Sequence, residues 1–204
     1  MSDANMAATR RWRLFARSRR GSVAAETALA LPVLLTIFYG AVELGRFILS
    51  YQKTALVASQ AADLVARIDD PITESDILDI FAAVDDIARP FAIATQGRVI
   101  ISLLVGAPLD GNVIVWQRCA GNLPVGSQLG TAGASEVALP GGIQLAVNDT
   151  VVVAEAYFSY TPLLGNTGVT QPTRLYERAV FRPRFGALTN IVDDGSMPAL
   201  CGTG

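Results

Sequence analysis

Histidine is absent from the 204 residues, lysine occurs once and cysteine twice. Without imidazole there are no histidine-based triads, no histidine general base and none of the common zinc sites. The single lysine, Lys53, sits in "SYQK" (Ser50–Lys53), a Ser-x-x-Lys match of the kind found in serine acyl-transfer enzymes. The companion Lys-Thr-Gly and Ser-Asp-Asn elements are missing. The glycines of "GNLPVGSQLGTAGAS" (121–135) are not followed by Gly-Lys-Ser/Thr, so they read as a loop and not as a phosphate cradle. The acids of residues 74–88 lack the alternating ligand spacing of a calcium loop. The sequence therefore offers no catalytic residue, no metal ligand and no cofactor site, and it reads as non-enzymatic, with no small-molecule substrate.

What is present is a strong division of charge and hydropathy. Residues 1–21 carry six of the 16 Lys+Arg residues and one of the 18 Asp+Glu residues, whereas the remainder of the chain is acidic. Just after the arginines comes "RRGSVAAETALALPVLLTIFYGAVELGR" (19–46), and the mean hydropathy of the whole chain is +0.39. One membrane span explains that excess. A nucleic-acid reading of the arginines would leave the adjacent apolar run unexplained, so no nucleic-acid partner is expected. The positive-inside rule keeps a 1–21 leader in the cytoplasm and puts everything beyond a 22–49 transmembrane helix outside. "TRRWRLF" (9–15) has the look of a twin-arginine signal, but further arginines interrupt its approach to the apolar run. An ordinary signal peptide would have a shorter apolar core and a small-residue cleavage site just after it. On the exported side the two cysteines, Cys119 and Cys201, read as one disulfide, with two buried free thiols as the alternative.

Beyond the span, "YQKTALVASQAADLVARI" contains no glycine or proline, and Val57, Ala61, Leu64 and Ile68 fall at helical spacing. The helix is expected to continue over 50–68 and to end at "DDP". Thr73 and Asp76 form a capping-box pattern ahead of a helix over 74–88, with Ile77, Ile80, Phe81, Val84 and Ile87 as its stripe. From residue 98 the period changes from 3.6 to 2. "RVIISLLV" (98–105) and "NVIVWQRC" (112–119) read as a β-hairpin, and strands follow at 150–160 and 174–184. The tail 185–204 has no period and is expected to be held mainly by Cys201. Helices followed by strands give an α+β fold: a long N-terminal helix, half transmembrane and half amphipathic, a second short helix, and an antiparallel sheet of about four strands. The exported domain is expected over 50–204, β-rich between 98 and 184.

One residue is out of place in the span. Glu26 stands near its start, although an unpaired acid at a bilayer centre costs roughly 2.5–3.5 kcal/mol even on lenient insertion scales. Arginines, then Gly21, then Ser22, then an acid at the fifth place of the apolar run resemble a class III prepilin leader. The further pattern of Glu26, Ala28–Ala30, Leu31-Pro32 and Glu43–Arg46, with the late "AVFRPRF" (179–185), closely resembles TadE-like minor pseudopilins of the tight-adherence (Tad/Flp) pilus system. The resemblance implies a pilin-like protein of the bacterial inner membrane, cut by a prepilin peptidase between Gly21 and Ser22. It also implies assembly with other Tad pilins or pseudopilins and an assembly platform. Glu26 would then pair with the N-terminus of a neighbouring subunit, and its other reading is an acid at the membrane interface. Residue 25 is alanine where valine is frequent, and Thr27 replaces the tyrosine of the major pilin. A rival of another class is an uncleaved single-pass protein whose external domain binds an envelope partner or ligand.

Overall fold

The computed structural model describes residues 19–163, 170–197 and 199–201. Most of the basic leader and the last three residues lie outside these. Two compact units divide the chain, one through Gly45 and one from Arg46.

A single helix, α1 (Arg19–Val65), contributes to both units. Its continuity follows from composition. After Arg46 no glycine or proline occurs until Pro71, and Pro32 is accommodated without ending the helix. In the second unit, Val57, Ala58, Ala61, Ala62 and Val65 are buried and belong to the same core cluster as one face of the sheet. The last turn tightens, with the Arg67 and Ile68 amides donating to carbonyls three residues back, at 3.2 and 3.1 Å. α1 thus ends slightly before the expected residue 68. Helix α2 (Glu74–Ala88) starts at the anticipated capping box: the Asp76 amide donates to Thr73 Oγ1 and the Thr73 amide to Asp76 Oδ2. Ile77, Ile80, Phe81 and Val84 form its buried stripe. No basic residue lies in its last turn; instead Lys53 Nζ donates to the Ile87 carbonyl at 2.8 Å, which satisfies an end carbonyl and complements the dipole. A short helix, α3 (Ile93–Gln96), which no period announced, leads into the sheet.

Four antiparallel strands follow: β1 (Gly97–Ala107), β2 (Gly111–Ala120), β3 (Thr150–Tyr160) and β4 (Thr173–Phe181), in the order β2-β1-β3-β4. The hairpin turn depends on Gly111, whose φ of 62° lies in the left-handed region. The pairing shifts register between Leu103 and Leu104, so that Leu103 faces Trp116 and Leu104 faces Ile114. On one face Val99, Ile101, Leu103, Val152, Ala154, Ala156 and Phe158 join the α1 and α2 stripes in the main core. Antiparallel sheets often leave their other face to water. Here Leu104, Ile114, Val151 and Val153 on that face pack against Leu129, Val137 and Leu139 from the connection between β2 and β3. The glycine-rich loop is therefore a third layer.

Long-range polar contacts tie the layers together. The Arg118 guanidinium forks onto the Glu74 carboxylate, joining β2 to the first turn of α2, and both side chains are largely buried. The Arg-Pro-Arg segment acts as a strap. Arg182 pairs with Asp149 at 2.8 Å, and Arg184 reaches the end of α1, through its guanidinium to Asp63 at 2.6 Å and its amide to the Ala66 carbonyl just beyond the helix at 2.9 Å. β4 accordingly stops at Phe181 instead of running to 184. Asp63, an acid on α1, is buried between Arg67 and Arg184.

The tail is held at many points, not mainly at Cys201. Leu188 is buried, and the Thr189 hydroxyl donates to Asp70 at 2.9 Å. The Val192 amide donates to the Ile72 carbonyl at 2.8 Å, and the Cys119 amide to the Ala199 carbonyl at 2.8 Å. Cys119 and Cys201 form a disulfide with a Cα–Cα distance of 4.9 Å.

Two outcomes follow from this strapping. The hydrogen bond from Arg67, aided by the charges of Arg67 and Arg184, holds the Asp63 carboxyl below its ordinary value against the opposing effect of burial. A depressed folded-state value stabilises fully above the unfolded value and is lost as pH falls through the folded one. Asp63→Asn should therefore flatten the loss of stability below about pH 4, near the ordinary aspartate value. Urea titrations between pH 2 and 7 measure this, and an unchanged acid limb contradicts it. In the second experiment, non-reduced protein should take up no thiol reagent. Cys201→Ser should open the segment beyond Val192 to a protease of low specificity such as proteinase K, while the 182–192 strap stays protected. Cleavage within the strap would contradict the multiple anchoring.

Candidate functional site

The first half of α1 is built unlike the second. Large apolar side chains are exposed at Val23, Leu29, Leu31, Val33, Leu34, Leu35, Ile37 and Phe38. Runs such as Leu34-Leu35 and Ile37-Phe38 put them all round the helix, so no single stripe meets a core. From Val23 to Leu49 such a helix is about 40 Å long at 1.5 Å per residue, against a hydrocarbon core of about 30 Å. By length and composition, α1 can cross a membrane.

Its polar groups are arranged for a poor solvent. Thr27 Oγ1 donates to the Val23 carbonyl at 2.9 Å, and Thr36 Oγ1 to the Pro32 carbonyl at 2.8 Å. These back-bonds satisfy hydroxyls that lipid would leave unpaired. Tyr39 presents its hydroxyl to Glu43 at 3.3 Å, one turn on.

Gly21 and Ser22 lie in the opening turns of α1, where the backbone alone is described, and Glu26 is exposed on the same helix. Ser22 and Glu26 are four positions apart, about one helical turn along the backbone. The expected site residues therefore fall into two groups: Gly21, Ser22 and Glu26 at the start of α1, and the Cys119–Cys201 bridge in the second unit. The Ser-x-x-Lys match is structural. Ser50 Oγ donates to the Phe47 carbonyl at 2.8 Å while Lys53 caps α2, so the two are not a nucleophile and its base.

One polar centre escaped the sequence reading. Glu155 on β3 is fully buried. It accepts from the Ser127 hydroxyl, from the Gln128 amide at 2.9 Å and from the Tyr176 hydroxyl at 3.0 Å, with Tyr157 at 3.4 Å. Burial, and then the Glu155 charge, push both tyrosine hydroxyls well above their ordinary value, so they remain donors. This network fastens the glycine-rich layer to the sheet. Its signal was a lone acid within the apolar run "TVVVAEAYFSY".

Among the described residues, no group of three or more His, Cys, Asp and Glu side chains is placed to hold a metal ion. No curated protein and no solved structure matches the chain. A family model described as TadE-like protein matches residues 21–63, a range that begins at Gly21, includes Glu26 and Pro32, and ends at the buried Asp63. The membrane-compatible half of α1 and most of its packed half are thus a TadE-like segment.

Proposed function

We propose that this protein is a minor pseudopilin of the TadE-like kind, a structural and non-catalytic component that takes part in initiating or assembling a Tad/Flp-type adherence pilus. The observation that carries the reading is the TadE-like match over 21–63, lying on one helix whose first half is apolar and exposed all round. In this reading α1 crosses the inner membrane with the arginine leader in the cytoplasm and the α+β domain outside. A disulfide-closed domain is consistent with that side. A prepilin peptidase cuts between Gly21 and Ser22. The new α-amine at Ser22 is then the cation that Glu26 of a neighbouring pilin or pseudopilin accepts, on the way to the assembly platform.

The electrostatics separate assembly from insertion. Before cleavage there is no amine at Ser22, so Glu26 matters only after processing. In a low dielectric, removing one partner of an ion pair leaves the other charge uncompensated, at a cost of about 3–5 kcal/mol when the pair is buried. Glu26→Gln keeps the shape and removes the charge, and Glu26→Leu makes insertion easier. Both variants should reach the membrane and be processed like wild type, yet fail to co-purify with the other pilus subunits or to support piliation. Normal piliation by both would reduce Glu26 to an interfacial acid and leave the uncleaved, partner-binding reading as the better one.

A further inference from the structure

On the sheet face covered by the glycine-rich layer, a cleft of about 690 Å³ opens between β1, β2 and the loop. Ile100, Val125, Leu200 and the Cys119–Cys201 disulfide supply apolar lining, and Arg98 from the start of β1 lines it as well. The volume is in the range of small-ligand pockets, about 300–1,000 Å³.

Arg98 is the unusual member. Its Nη1 reaches the Leu123 carbonyl at 3.4 Å, a long contact, and its buried Nε has no hydrogen-bond partner. Among the described residues it forms no ion pair, in contrast to Arg118, Arg182 and Arg184, each of which holds an acid. A buried donor left unsatisfied costs about 1–3 kcal/mol, and native proteins rarely tolerate it without a use. Of the other polar side chains at the cleft, Thr131 carries an uncharged hydroxyl on the exposed loop and the rest are engaged. Gln117 Nε2 donates to Ser102 and to the Gly130 carbonyl, and Ser127 serves Glu155. The Arg118 guanidinium is held by Glu74. One available guanidinium therefore faces a largely apolar space.

We propose that this cleft binds a monoanionic carboxylate with a small apolar body, its carboxylate taken by the Arg98 guanidinium and its body seated against Ile100, Val125 and the disulfide. A guanidinium matches a carboxylate through paired N–H donors. A doubly charged phosphate would call for a second cation, and Arg118 is already committed. The proposal rests on Arg98 and its surroundings, and stands or falls separately from the pilus reading. Either a free short-chain acid or the C-terminus of a peptide has the required chemistry.

The test is calorimetric titration of the full chain in detergent micelles with hexanoate, N-acetyl-Val-Leu carrying a free carboxylate, and the C-terminal amide of the same dipeptide, each corrected for micelles alone. Wild-type protein should bind at least one carboxylate saturably at one site and the amide about tenfold more weakly or worse, the scale of a lost charged hydrogen bond. Tighter binding of hexanoate would identify a free acid, and tighter binding of the dipeptide a chain terminus. Arg98→Gln should lose binding by a similar factor. Leu200, 65% exposed at the cleft, tolerates change without core disruption, so Leu200→Glu should repel the carboxylate while melting like wild type. No saturable binding of either carboxylate, equal binding of the amide, or unaltered binding by a normally folded Leu200→Glu protein would overturn the assignment.

Discussion

A four-stranded sheet with helices against one face leaves Ile100, Leu104, Ile114, Val151 and Val153 on the other, all of them buried here. Covering that second face is the constraint from which much of the domain follows. It explains why β3 is an almost unbroken apolar run, why the β2–β3 connection is long, and why that connection carries Val125, Leu129, Val137 and Leu139 among its glycines. A loop brought into a protein interior must have its polar groups satisfied. Asn112 does part of this, donating to the Val137 and Ile143 carbonyls and accepting from the Leu145 amide. Glu155 does another part through Ser127 and Gln128.

The same logic accounts for the two halves of α1. From Val57 to Val65 alanines and valines give a narrow, close-packing stripe, and that half is fixed by Lys53, Asp63 and Ala66 to α2 and the strap. Before Gly45 the apolar residues are larger, run all round the helix and are exposed, which suits lipid or the helices of other subunits. One uninterrupted helix therefore joins a segment stabilised by its own domain to a segment whose large apolar side chains are exposed.

Features with a local cause were legible in the sequence. The capping box of α2, the hairpin around Gly111, the four strands and the single disulfide each follow from residues a few positions apart or from a count of two. Contacts made over more than a hundred residues were not. Asp63 sits on what a single-helix pattern assigns to water, and only Arg184, arriving from the far end of the chain, explains its burial. The tail shows no period because its anchors are scattered: the buried Leu188, the Thr189 hydroxyl on Asp70, and backbone bonds at Val192 and Ala199. Glu155 did leave a trace, as an acid between alanines in a strand. The candidate segment was readable from residue order, from Gly21 through Glu26 to Arg46, whereas the partner proposed for Glu26 would lie on a second chain, which the residue order of one chain does not describe.

The central claim is that α1 is presented for assembly only after an amine is made at Ser22. Gly21 has no Cβ to obstruct entry of the backbone into a tight intramembrane active site. The most direct measurement is the intact mass of the protein purified from membranes of cells carrying the pilus system, wild type beside Gly21→Ala. A wild-type chain beginning at Ser22 is expected, beside a Gly21→Ala chain that retains its arginine leader. A wild-type chain that keeps residues 1–21, or one cut elsewhere in α1, would contradict it.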